Sequence, residues 1–134
     1  MLDERRADLC NYRMKNSEDS LTVAKDCLEK GLYRDAINRS YYAAFYAIKA
    51  LLALEEVDFK KHKDVVAYFN RTYAATEKIP REIGRKLARL QQKREKSDYD
   101  DFYIASKEET MEQIENTKSV ISAVKDYLSK MEIL

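Results

Sequence analysis

Residues 35–54, DAINRSYYAAFYAIKALLAL, form the one long stretch in which nearly every helical turn offers something apolar to bury. At about 100° per residue, Ile37, Tyr41, Ala44, Phe45, Ile48, Leu51 and Leu52 share one broad face, while Ala36, Ser40, Ala43, Ala47 and Ala50 make an adjoining face of small side chains. A helix with two apolar faces belongs in the middle of a bundle. Its large side chains fill a core, and its small ones admit a second backbone at close range, either within the protomer or across a dimer interface. What stays polar is a narrow strip of Asn38, Arg39, Tyr42, Tyr46 and Lys49, unusual on so buried a helix and the first candidate for a site.

The rest of the chain supplies helices to surround it. With two glycines, one proline and 37% charged residues in 134, long helices with short connections are expected, because sheets need more turn punctuation. A single domain spanning 1–134 is expected from this length. The first helix is expected over residues 2–30, since Cys10, Met14, Ser17, Leu21, Ala24 and Leu28 alternate steps of four and three and Gly31 supplies the stop. Asn16 and Ser17 leave its continuity open. The connection to the central helix is so short that the two should be antiparallel neighbours. Residues 57–63, VDFKKHK, read as a connector, and Val65, Val66, Phe69 and Tyr73 predict a third helix over 64–75. Pro80 suits the first position of a fourth helix running to about Ser97. Residues 98–105, DYDDFYIA, read as an irregular connector. Ser106 and Glu109 then make a capping-box signature opening a last helix, whose buried stripe is Met111, Ile114, Ile121, Val124, Leu128 and Met131.

The fourth helix separates its faces most clearly. Ile83, Leu87, Leu90 and Arg94 follow one stripe, which turns Arg94 inward, and Arg81, Arg85, Arg89, Lys93 and Lys96 cluster on another face. Seven basic and two acidic residues lie between Arg81 and Lys96, against a net charge of only +1 for the whole chain. That basic face has two readings: a solvated helix surface, or a surface for RNA or an acidic partner, since phosphate contacts require clustered lysine and arginine. Arg94 likewise reads either as a structural ion-pair arginine, with Asp98 one turn on, or as part of a groove with Arg39, Tyr42, Lys49, Asp98 and Tyr99 suited to a nucleotide or RNA phosphate and a stacked base.

RSYYAAFYAIKALL in the central helix, REKSDY at residues 94–99 and the closing amphipathic helix together resemble the HEPN domain, a small helical domain found in prokaryotes beside minimal nucleotidyltransferases. The resemblance implies an all-α, antiparallel up-and-down bundle of about five helices, assembled as a homodimer through the small-residue or aromatic faces of the long helices. Active members are metal-independent ribonucleases using an arginine followed, after four to six residues, by a histidine. The histidine moves a proton at the ribose 2′-hydroxyl and the arginine stabilises charge at phosphate. Arg94 matches the arginine, but positions 99, 100 and 101 hold Tyr99, Asp100 and Asp101. The resemblance therefore implies a non-catalytic protein that binds nucleotide or RNA and pairs with a separately encoded minimal nucleotidyltransferase, as in a toxin–antitoxin module. The alternative is a ribonuclease toxin using Arg94 and His62, the one histidine, which in its KKHK context reads as solvated. In some such pairs the transferase attaches AMP to a tyrosine near the arginine, for which Tyr99 or Tyr103 is the candidate.

Other chemistry finds no footing. Cys10 and Cys27 lie 17 residues apart on one expected helix, about 25 Å, too far for a disulfide, and two cysteines with one histidine give no zinc spacing. No phosphate loop, HExxH or nucleophile elbow occurs, so neither metal nor cofactor is expected. The absence of a long uncharged apolar run or a basic-then-apolar leader leads to the expectation of a cytoplasmic protein without a membrane span.

Overall fold

The computed structural model describes residues 3–55 and 57–131, and among them the chain forms five α-helices and no strand. The helices are α1 (Glu4–Glu29), α2 (Tyr33–Leu54), α3 (His62–Phe69), α4 (Arg81–Tyr99) and α5 (Lys107–Lys130), with a π-helical turn, Asn70–Ala74, continuing α3. Leu2, the expected start of the first helix, lies outside the described residues. The Asp3 carboxylate accepts from the Arg5 amide and caps α1.

α1 is continuous through Asn16 and Ser17. The physical reason is a remote partner. The buried Ser17 hydroxyl donates to the Ala43 carbonyl at 2.5 Å rather than competing for its own backbone. Gly31, at φ 75°, ends the helix in a left-handed residue, with its amide on Leu28 O and the Leu32 amide on Cys27 O, the two bonds of a Schellman cap. Chain reversal within three residues then lays α2 antiparallel on α1.

α2 touches every other α-helix. Both of its expected apolar faces are buried, from Ile37, Tyr41 and Phe45 through Leu52 on one side and from Ala36 through Ala50 on the other. Each large side chain so buried contributes about 1.5–3 kcal/mol. The small-residue face is consumed inside the protomer. Ser17 of α1 reaches Ala43 O, and Thr117 of α5 donates to Ser40 O at 2.6 Å, so a dimer cannot form through that face without opening the bundle.

Elsewhere the boundaries move. α3 begins at His62, two residues earlier than expected, and its second half widens into the π turn, where the Ala75 amide reaches Asn70 O at 2.7 Å. The turn faces Gly84, where a Cβ would stand 2.8 Å from Asn70 Oδ1. Pro80 is the cap residue and Arg81 the first helical one, while α4 runs on to Tyr99, absorbing the start of the expected connector. On α5, Ser106 accepts from the Glu109 amide as expected, but the Glu109 carboxylate turns away to the Tyr103 hydroxyl. Met111 and Met131 are half exposed instead of buried. Beside Val120 and Val124, α5 also buries Thr110, Gln113, Asn116 and Thr117; Thr117 bonds across to Ser40 O of α2, whereas Thr110 bonds Ser106 O and Asn116 bonds Gln113 within α5 and its cap.

Candidate functional site

The polar strip of α2 is half-buried along its whole length, and α4, α3 and α1 close around it. Arg94 enters from α4 with its side chain 15% exposed. Its Nη2 donates to the Tyr42 hydroxyl at 3.2 Å, and its guanidinium carbon lies 5.2 Å from the Tyr41 ring centroid and 5.5 Å from that of Tyr42. Nε is 3.1 Å from the Asp98 carboxylate but not aligned for a hydrogen bond, so that contact is ionic. Burial alone would lower the pKa of Arg94; Tyr42, Asp98 and Tyr41 outweigh it and hold the charge above its ordinary range. Asp98 also accepts from Asn38 Nδ2 at 3.2 Å. Arg39 lies 5.0 Å from the Tyr42 centroid, so two guanidinium groups attend one ring.

His62 is half-buried rather than free in solvent. At the start of α3 its ring packs 4.1 Å from the Phe45 centroid, with Nδ1 3.4 Å from the Tyr41 hydroxyl. The KKHK context carried no sign of this, because the packing comes from α2. Burial, then the charges of Arg94 and Lys49, push the imidazole below its ordinary pKa, leaving it neutral at pH 7. Burial also pushes Tyr41 up to about 12.

Of the expected site residues, the fold brings together Arg39, Tyr42, Arg94 and Asp98, adds His62, and leaves two apart. Lys49, at the far end of the strip, pairs with Asp58 at 3.5 Å. Tyr99 is 76% exposed, on the solvent side of the last turn of α4, because the continued helix turns it outward. Sequence reasoning passed over Arg34. It donates to the Ser97 carbonyl through Nε at 2.9 Å and to the Asp100 carbonyl at 3.1 Å, tying the C-terminus of α4 to α2 and so positioning Arg94 and Asp98. Its only signal was an arginine one turn before Asn38.

The basic face divides. Arg85, Arg89 and Lys96 are exposed and without a partner among the described residues. Arg81 is 3.6 Å from Glu77, and Lys93 folds back to 3.8 Å from Glu109. Past α4, Phe102 and Ile104 are 93% and 87% exposed beside Asp100 and Asp101, the most open apolar side chains among the described residues. Tyr103, between them, donates to Glu109 and is pushed up to about 12 by burial and that bond. Cys10 is buried, its thiol pushed up to about 11, and no group of His, Cys, Asp or Glu among the described residues could hold a metal. No helix among them is long and apolar enough to cross a membrane.

Comparison with known proteins fits this architecture. The chain is 28% identical over 124 residues to a UPF0332 protein of Thermotoga maritima, covering 92% of this chain and 94% of the relative. It is 28% identical over 121 residues to a Methanocaldococcus jannaschii protein named "Putative toxin MJ0142", covering 90% and 82%. The crystal structure of TT1696 from Thermus thermophilus superposes with a TM-score of 0.73 at 18% identity, over 89% of this chain and 98% of that one, and shares the fold. Residues 10–127 match the model of the HEPN domain, and the chain belongs to that family.

Proposed function

We propose that this HEPN protein is the helical member of a toxin-type pair, working with a separately encoded minimal nucleotidyltransferase in the cytoplasm, and that its site binds the phosphate of RNA or a nucleotide. The observation that carries this reading is the Arg39–Tyr42–Arg94 arrangement, two half-buried guanidinium groups on one tyrosine ring. Arginine is suited to phosphate by its planar fork of donors, and tyrosine gives a base a face to stack on. Arg85, Arg89 and Lys96 extend positive charge along α4 for the rest of a strand. The toxin designation of the Methanocaldococcus relative agrees with it.

In this reading a second copy of the chain and the transferase both bind at the last turn of α4 and the connector after it, where Tyr99, Phe102 and Ile104 stand open near two aspartates. Between the two tyrosines proposed for AMP attachment, Tyr99 is the accessible one, whereas Tyr103 would first have to leave Glu109.

A second reading has one specific observation in its favour. The neutral His62 imidazole sits in the same aromatic cluster as Arg94, so a base and a phosphate-binding arginine are present although the usual histidine position holds tyrosine. In that reading His62 accepts the 2′-hydroxyl proton as the oxygen attacks phosphorus, and the 5′-oxygen leaves with a proton from water.

The test is incubation of the metal-free protein with total RNA and with labelled nucleotides, beside Arg94→Ala and His62→Ala. Binding without cleavage, weakened about tenfold or more in Arg94→Ala, is the expected result. Cleavage lost in both variants replaces it with the ribonuclease reading, and no binding by the wild type refutes the site.

A further inference from the structure

A groove of about 420 Å3 runs between α1 and α2 on the other side of Arg39, lined by Tyr12, Asn16, Asp19, Val23, Arg39 and Tyr46. We propose that it is a base-binding subsite continuous with the Arg94 site, which holds a nucleobase of single-stranded RNA and prefers bases carrying an exocyclic amino group over uracil. This rests on the phosphate-binding reading above and deepens it.

Four features point the same way. Arg39 belongs to both places: it lines the groove and lies 5.0 Å from the Tyr42 centroid, beside which Arg94 stands. Its hydrogen bonds are two long ones, 3.4 Å each, to the neighbouring Asn38 side chain, and no carboxylate pairs with it among the described residues. A half-buried cation held so weakly is completed by an anion, and a phosphate bridging the two sites supplies one. Secondly, the groove presents two tyrosines, Tyr12 at 62% exposure and the half-buried Tyr46, whose ring is 6.2 Å from that of Tyr42. Aromatic faces for bases to stack on, with an arginine beside them, are how single strands are held without a duplex. Thirdly, the volume suits one nucleotide rather than a folded partner. Lastly, the polar wall is Asn16 and Asp19. The Asp19 carboxylate accepts, so it favours an exocyclic amino group, as on cytosine, adenine and guanine, and meets unfavourably the O4 carbonyl that uracil carries where cytosine has its amino group. Lys15, 3.1 Å from Asp19, offsets the carboxylate charge, so the groove does not repel a phosphate backbone.

The test is fluorescence anisotropy with labelled ten-nucleotide oligo(C), oligo(A) and oligo(U) at fixed salt, on the wild type, Tyr12→Ala, Tyr46→Leu, Asp19→Ala and Arg94→Ala, each checked for folding by circular dichroism. Expected are tighter binding of oligo(C) and oligo(A) than oligo(U), and about tenfold weaker binding in Tyr12→Ala, an exposed position whose loss leaves the bundle intact. Asp19→Ala should erase the base preference without weakening oligo(U). Tyr46→Leu should match Tyr12→Ala. If Arg94→Ala abolishes binding while the tyrosine and Asp19 variants bind all three like wild type, the subsite is wrong and the phosphate site stands. If the wild type binds none of the three, the phosphate-binding reading falls and takes the subsite with it.

Discussion

Changing Tyr42 to phenylalanine takes one hydroxyl from the site and leaves the ring in place beside Arg39 and Arg94. The interaction removed is a hydrogen bond from a charged donor, for which mutational series give about 1.5–3 kcal/mol. Here the length is 3.2 Å, the long end of the range, and Tyr42 is half open to water, which replaces part of what is lost. A cost of about 1 kcal/mol follows. Arg94→Met keeps the aliphatic stem against the α4 stripe and removes more: the same bond, the Asp98 ion pair at about 0.5 kcal/mol and two ring contacts at about 0.5–1 kcal/mol each. Together these amount to about 2.5–3.5 kcal/mol, less the desolvation no longer needed. In a double-mutant cycle the coupling should be about 1 kcal/mol, read from urea unfolding followed by far-ultraviolet circular dichroism. Coupling within about 0.3 kcal/mol of zero would show that the hydroxyl does not hold the arginine. An Arg94→Met variant more stable than wild type would refute the structural role altogether and mark an arginine kept at the expense of stability.

Two further outcomes are expected. Gly84→Ala gains about 1 kcal/mol of helix propensity, but its Cβ meets Asn70 Oδ1 at 2.8 Å; that oxygen is the end of a rotatable side chain, so the melting temperature should stay near wild type, and Asn70→Ala should release the full gain. For His62 the folded pKa lies below the unfolded 6.5, so the unfolded state binds more protons as pH falls through that value; thermal stability should drop from pH 7 toward pH 5, and a pH titration of melting in His62→Gln should be flatter in that window.

The bundle was legible because its signals are local or periodic. The two faces of α2, the glycine stop after α1 and the serine cap of α5 each follow from spacing within one helix, and so did the polar strip, since whatever is left over on a doubly buried helix is visible in projection. The details that escaped are those set by a second element. His62 reads as a residue among lysines until Phe45 and Tyr41 of α2 are placed against it. Arg34 gives no sign of reaching carbonyls 63 and 66 residues away. Thr117 fell outside the apolar stripe expected for α5, and only the close approach of α2 lets its hydroxyl bond Ser40 O. Tyr99 was misplaced for a local reason: two more residues of helix rotate it away from the groove.

Arg94 presents an apparent conflict, since a side chain bonded to Tyr42 and Asp98 looks already employed, yet a binding arginine needs donors to spare. The magnitudes resolve it. A guanidinium carries five N–H groups, and here one makes an aligned bond while Nε faces Asp98 without alignment. A phosphate taking two donors at once forms charge-assisted bonds about twice as strong as neutral ones. The contact it must displace is worth about 1 kcal/mol, less than a tenfold loss in affinity. Against that stands the ordering of a long side chain, which costs up to about 2 kcal/mol when a free arginine is immobilised on binding. The tyrosines and Asp98 have already met most of that cost on folding, with Arg34 fixing the helix end that carries them. Contacts that look like competition would therefore be what readies Arg94 for the proposed phosphate.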